Sequence, residues 1–206
     1  MSDLITELEK RFGEDRISLI PTKNDDEIEL LKIELELRSS QITLIMTHGL
    51  SHYEMPTPEQ HNAFTYQELF FCLPSYWDLE ELENPAYKWP FEWIHKLSRH
   101  AVANNTWYGP GHTFSNGKPA LPLSPSMKME HLILLEPILL EEYLVPVTLL
   151  HKTIQFLSVC PIYDNELEYK LSKGFFKFLR KYRAKNNSEM LDDYRESVLK
   201  PRFKIF

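Results

Sequence analysis

With 206 residues, 43% of them hydrophobic and 26% charged, the chain has the size and composition of one folded globular domain with a sizeable core. Its formal net charge of −7 argues against nucleic acid as a partner, which demands a basic face, and suits a basic protein better. No apolar run approaches the ~18 residues of a membrane span, and Met1-Ser2-Asp3-Leu4 lacks the basic-then-apolar pattern of a secretory signal. The expectation is a cytoplasmic protein with no membrane contact.

Leu4, Leu8 and Phe12, with Ile5, recur at helical spacing; Ser2 stands where a cap belongs and Gly13 where a helix ends. Residues 21–26 read as a polar turn. From Ile28 the period changes to two, and Ile33, Leu35 and Leu37 alternate with Glu34 and Glu36 as a strand with one wet face. Ser39-Ser40 separates it from a more buried strand, residues 42–46, which ends at Thr47-His48-Gly49-Leu50-Ser51. Residues 66–73 predict a third strand stopped by Pro74. Trp89 and Pro90 open a helix whose Trp93, Leu97 and Ala101 share one face. Residues 132–135 form a short strand, and 145–150 with 153–159 a hairpin around His151-Lys152. Residues 164–184 carry Leu167, Leu171, Phe175 and Leu179 at helical spacing, interrupted by Gly174, and 186–206 read as a polar, peripheral tail. Strands in pairs separated by helices predict an α+β fold: a single domain over 1–206 with a mixed, mostly antiparallel sheet packed against helices.

Three of the six glycines fall between Trp107 and Gly117, in Trp-Tyr-Gly-Pro-Gly-His-Thr-Phe-Ser-Asn-Gly. Gly109-Pro110-Gly111 predicts a tightly shaped turn, and Asn116-Gly117 is the pair favoured in two-residue hairpins. A shaped loop bearing Trp107, Tyr108 and His112 suits recognition or chemistry. His112 fits three roles: a hydrogen-bonded loop anchor, a partner contact, or a general base with an ordinary pKa of ~6.5. The expected arrangement has Trp107 packed back on the preceding helix and His112 bonded to nearby backbone. His48 reads as the anchor of a strand-to-loop transition, with general-base work as the alternative. Its spacing to His52 matches a metal pair only on a helix, which Gly49 disfavours, so no metal is expected. Gly-x-Ser-x-Gly, phosphate-binding glycine loops and Cys-x-x-Cys are absent, and Cys72 and Cys160 lie in apolar runs. No cofactor is implied. The candidate partner-binding or loop-shaping residues are therefore His48, Trp107, Tyr108, Gly109, Gly111, His112 and Asn116, with no catalytic assignment. The competing function is a hydrolase or transferase using His112 or His48 as general base, a carboxylate such as Glu54 beside it.

These pieces, in order, resemble the Suppressor of fused domain family, particularly its compact bacterial members. The match runs through Thr47-His48-Gly49-Leu50-Ser51 with Met55-Pro56, Tyr66-x-Glu68-Leu69, Leu73-Pro74 and Trp89-Pro90-x-x-Trp93-x-x-x-Leu97-x-Arg99. It continues in Trp107-x-Gly109-x-Gly111-His112-Thr113 with Asn116-Gly117, Ile154-x-Phe156-Leu157, and Pro161-Ile162-Tyr163 with Glu166, Leu171 and Gly174. It is strongest over 44–174; Phe114-Ser115 departs from the aliphatic residue and proline common in compact members. The resemblance implies a protein-binding α/β-type domain not known for catalysis. In animal members a second domain joins it to clamp a transcription-factor peptide, using an acidic residue before the loop histidine and a tyrosine late in the preceding helix. Here those positions hold Gly111 and His100, so the animal peptide is not the expected ligand. Bacterial relatives, the resemblance implies, act as immunity proteins, which makes a toxin domain, basic in charge, the expected partner.

Overall fold

The computed structural model describes residues 3–21, 28–37, 39–81 and 83–199. Helix α1, Leu4–Phe12, is capped by Asp3, whose carboxylate accepts the Thr6 N–H at 2.9 Å, and stops at Gly13 with φ of 98°. The expected cap, Ser2, lies outside the described residues, as do residues 22–26 of the expected turn. Strands β1 (Ile17–Ile20), β2 (Glu29–Leu37), β3 (Ser40–His48) and β4 (Tyr66–Pro74) follow. Helix α2 spans Pro85–Ala103, then come β5 (Thr113–Ser115), β6 (His131–Leu135), β7 (Val147–Leu149) and β8 (Lys152–Ile162). Two helices close the order: α3 (Asp164–Lys173) and α4 (Phe175–Ala184), with Gly174 between them.

The strands form one sheet in the order β1-β2-β3-β4-β8-β6-β5, with β7 also on β8. Every pair is antiparallel except β4 with β8, where Tyr66 lies opposite Ile154. This is the mixed, mostly antiparallel α+β architecture that the alternation predicts. Because successive strand residues point to opposite faces, the sheet carries two cores. On one face Leu69, Phe71, Leu132, Leu134 and Leu157 pack against Trp93, Ile94, Leu97 and Ala101 of α2. On the other, Leu31, Ile33, Leu44 and Phe70 cover Leu4 and Leu8 of α1, while Ile133, Leu135 and Ile162 meet Phe178 and Tyr182 of α4. Cys72 and Cys160 are buried and unbridged, and burial pushes both thiols up, Cys160 to about 12.

The structure corrects three expectations. Helix α2 begins at Pro85, not at Trp89-Pro90: Asn84 accepts the Ala86 N–H at 3.0 Å, Pro85 takes the first turn, and Pro90 lies inside the helix. Asn116-Gly117 turns the chain, with φ of 94° at Gly117, but does not close a two-residue hairpin, since the partner strand β6 starts only at His131. The Asn116 amide instead donates to the carbonyls of Leu121 and Pro122 and shapes the intervening loop.

Nor is the described part of 186–206 peripheral. Glu189 is buried and accepts the N–H groups of Ile138, Leu139 and Leu140 at 2.7–3.0 Å. Arg195 grips Glu166 of α3 through two bonds of 2.7 and 2.8 Å and donates to the Pro161 carbonyl. Glu166 also accepts the Tyr163 and Val198 N–H groups, and the guanidinium stands 5.2 and 5.4 Å from the Tyr163 and Tyr182 rings. A polar-looking stretch is thereby fastened by two buried carboxylates whose hydrogen bonds are filled.

Candidate partner-binding site

The glycine loop is built on the end of α2 and the edge of the sheet. After Ala103 the chain reverses through Asn105, at φ of 46°, and the Thr106 N–H returns to the Ala101 carbonyl at 3.1 Å. Tyr108 is the residue fully buried against the helix, while Trp107 is partly buried against the same core cluster. Tyr108 is 1% exposed, donates its hydroxyl to the Leu97 carbonyl at 2.7 Å, and lies between His100 and Phe114. Buried Gln67 of β4 donates to the Tyr108 carbonyl at 3.0 Å, fixing the loop from beneath.

Gly111 donates to the Leu134 carbonyl at 2.7 Å, and Leu134 donates to the His112 carbonyl at 2.9 Å, so the loop runs directly into β5. The glycines are needed for space as well as for φ. A Cβ on Gly109 would come within 2.7 Å of the Trp107 ring, and one on Gly111, at φ of 86°, within 2.8 Å of Phe175 in α4. Trp107 stays half-buried. Its ring stacks on His61 at 5.0 Å and takes His112 edge-on at 4.5 Å. Burial, with nearby Lys170 and His61, holds the His112 pKa below its ordinary 6.5, against the opposing bond to Trp107 backbone. Sequence reading missed His61, which sits in a separate turn 46 positions before Trp107 and carries no pattern of its own.

Beside the loop runs a groove of about 630 Å³ between α2 and β5, lined by residues including Trp93, Lys96, His100, Phe114 and Lys118. β5 ends the strand order and pairs only with β6 among the described residues. Since antiparallel partners alternate in their bonding, and the His112 carbonyl and Asn116 N–H are used toward β6, the Thr113 N–H and C=O point to the open edge. The site can therefore accept an extended backbone by adding a strand.

His48 is not part of this arrangement. It ends β3, with Nδ1 3.2 Å from Glu29 of β2, and borders a different cavity of about 470 Å³ with Asp3, His52, Tyr66, His151 and Lys152. The Thr47–Ser51 segment around it is explained by Glu68. That carboxylate is fully buried, accepts the N–H groups of Gly49 and Ser51 at 3.1 and 3.0 Å, and takes a bond from the Thr47 hydroxyl. Burial raises its pKa, and those bonds work in the opposite direction. Among the described residues no cluster of His, Cys, Asp and Glu could hold a metal.

One string of groups has the composition of a hydrolase relay. Ser115 Oγ lies 2.9 Å from His131 Nδ1, and His131 Nε2 lies 3.1 Å from Asp164 Oδ1. Its orientation opposes that use. Leu132 and Leu134 face α2 while Ile133 and Leu135 face α4, so strand alternation directs the side chains of His131 and its cross-strand partner Ser115 to the α4 side, although Ser115 also borders the groove. The adjacent amides are also committed, Asn116 N–H to Glu130 and Gly117 N–H to Ser115. An oxyanion needs such donors free. The string satisfies a buried histidine and ties β5 and β6 to the start of α3.

Residues 24–196 match the family described as Suppressor of fused protein (SUFU). The chain belongs to the Suppressor of fused family. The match extends beyond 44–174 at both ends and takes in the Glu189 and Arg195 anchors. Among solved structures, this SUFU chain is similar to a SUFU homologue from Neisseria gonorrhoeae FA 1090, with TM-score 0.63, 13% identity, and 96% and 95% of the two chains covered. It is similar to a chain of the Sufu–Fu complex crystal structure, with TM-score 0.68, 17% identity and coverage of 95% and 90%. Drosophila Suppressor of Fused gives TM-score 0.65 at 16% identity, over 95% of this chain and 50% of that one. These identities speak to fold alone. Among curated proteins none matches in sequence. The Sufu–Fu structure is that of a protein complex.

Proposed function

We propose that this SUFU domain is a non-enzymatic binding module that neutralises a protein partner by holding an extended segment against β5, in the groove under α2. The observation that carries this is the open backbone edge of β5 beside a groove whose wall is fixed by Tyr108. His61, Trp107 and His112 form an aromatic cluster in the loop that leads into β5, and Trp107 and Tyr108 bring the side chains best suited to interface anchoring. The partner class we favour is a toxin domain, with the chain acting as its immunity protein in the cytoplasm. The net charge of −7 supports steered association with a basic domain, while Lys96 and Lys118 in the groove wall favour an acidic side chain on the bound segment itself.

Co-purification at low salt, with identification of the retained protein and a toxicity-relief assay, tests the reading. Thr113→Pro removes the outward N–H without touching the ladder to β6. It is expected to weaken partner binding roughly three- to tenfold, the worth of one net hydrogen bond, at an unchanged melting temperature. Equal affinity for the variant and the parent contradicts edge addition. Labelling of Ser115 by a fluorophosphonate probe contradicts the non-enzymatic assignment.

A further inference from the structure

The corner between α3 and α4 carries charge opposite to that of the whole chain. From Tyr169 to Ser188 there is no Asp or Glu, and seven of the 23 Lys and Arg residues fall between Lys170 and Lys185. Lys173, Lys177, Arg180, Lys181 and Arg183 are exposed. Helix α4 buries Phe178 and Tyr182 against the sheet, so Phe176 and Arg180, four residues apart, share the outer face with Lys177 beside them. The second feature is apolar. Phe176 is 82% exposed and Leu171 69%, one on each side of Gly174, where an added Cβ would meet nothing within 4 Å. Two large apolar side chains at an open corner, ringed by lysines and arginines, is not the composition of a merely solvated helix face.

We infer that this corner docks on an anionic phospholipid surface, with Leu171 and Phe176 entering the headgroup boundary and Lys173, Lys177 and Arg180 resting on lipid phosphates. The charge is complementary to such a surface, and juxtamembrane cations add their attractions roughly independently. Nucleic acid or another polar polyanion would use the cations but would give Leu171 no partner; a bilayer uses both kinds of side chain. This departs from the expectation of no membrane contact, which rested on overall charge and on the absence of a spanning segment. Phe175, next to Phe176, packs on Gly111, so a docked corner would hold the glycine loop near the membrane.

The whole chain should sediment with phosphatidylcholine vesicles that contain phosphatidylglycerol, and not with phosphatidylcholine alone, and raised salt should release it. Lys173→Glu with Lys177→Glu should lower partitioning at least about tenfold, from roughly fivefold per charge near the surface. Phe176→Ser with Leu171→Ser should also lower it, leaving circular dichroism unchanged because both positions are exposed. Absence of sedimentation with the anionic vesicles at low salt overturns the inference. So does retention that neither variant reduces, or retention of the chain by single-stranded oligonucleotide or polyglutamate but not by vesicles.

Discussion

Gly111 and Gly174 share a positive φ, 86° and 92°, but differ in what surrounds them. At Gly111 a methyl group would meet the Phe175 ring at 2.8 Å; at Gly174 it would meet open space. Gly174→Ala is therefore expected to cost only the backbone strain, ~1–3 kcal/mol, and Gly111→Ala a further ~1–3 kcal/mol for overpacking. Urea denaturation of the two variants checks the difference, and equal costs would mean that Phe175 yields freely. His112 supplies a pH dependence. Its pKa is depressed in the folded state, chiefly by burial, so the unfolded chain binds the proton first. Stability is full above about 6.5 and falls as pH drops through the folded-state pKa. His112→Asn should flatten the stability profile below 6.5, measured by thermal melts across that window; an unchanged slope would assign it to other groups, such as His52, whose pKa burial also lowers. The loop shape was legible in the glycines and proline. Which aromatic anchors it was not: Trp107 and Tyr108 are sequence neighbours, and only the turn at Asn105 decides that Tyr108 points into the core.

At the scale of elements, α1, β2 and the α3–α4 break were legible because apolar and polar positions alternate along them, while β3, β4, β6 and β8, buried on both faces, were legible as short apolar runs between turn residues. β1 and β5 were not foreseen: at four and three residues they are too short for alternation to show. The 187–199 segment was misjudged for a different reason. Beside Leu191 and Val198 it buries Glu189, Asp193, Arg195 and Ser197, polar side chains that read as surface residues until their partners are known. The Arg195–Glu166 pair makes that segment a fastening of α3, with a testable cost. Arg195→Met strands a buried carboxylate and should lose ~3–5 kcal/mol; adding Glu166→Leu should recover part of that, since the charge left unpaired is then gone. Urea midpoints for the single and double variants decide it, and a single variant as stable as the parent would refute the fastening role. Glu68 holds the Thr47–Ser51 segment in the same way, which explains a sequence motif that had suggested chemistry at His48.

For the molecule as a whole, the charge is divided, with basic residues on the α3–α4 corner and in the groove wall and the acidic excess elsewhere. Net charge read from sequence averages over that division and could suggest only a single kind of partner. The site itself is a product of topology: β5 is exposed because the order ends there, a fact set by which strands pair and not by any local pattern. No helix among the described residues is long and apolar enough to cross a membrane. Addition of a partner segment to the β5 edge is read out by hydrogen–deuterium exchange of the chain alone and bound to the co-purified partner. Edge addition slows exchange at the outward-facing Thr113 amide and across residues 93–100 and 112–118. Unchanged exchange there, with protection confined to the β1 edge or the cavity around His48, would contradict it.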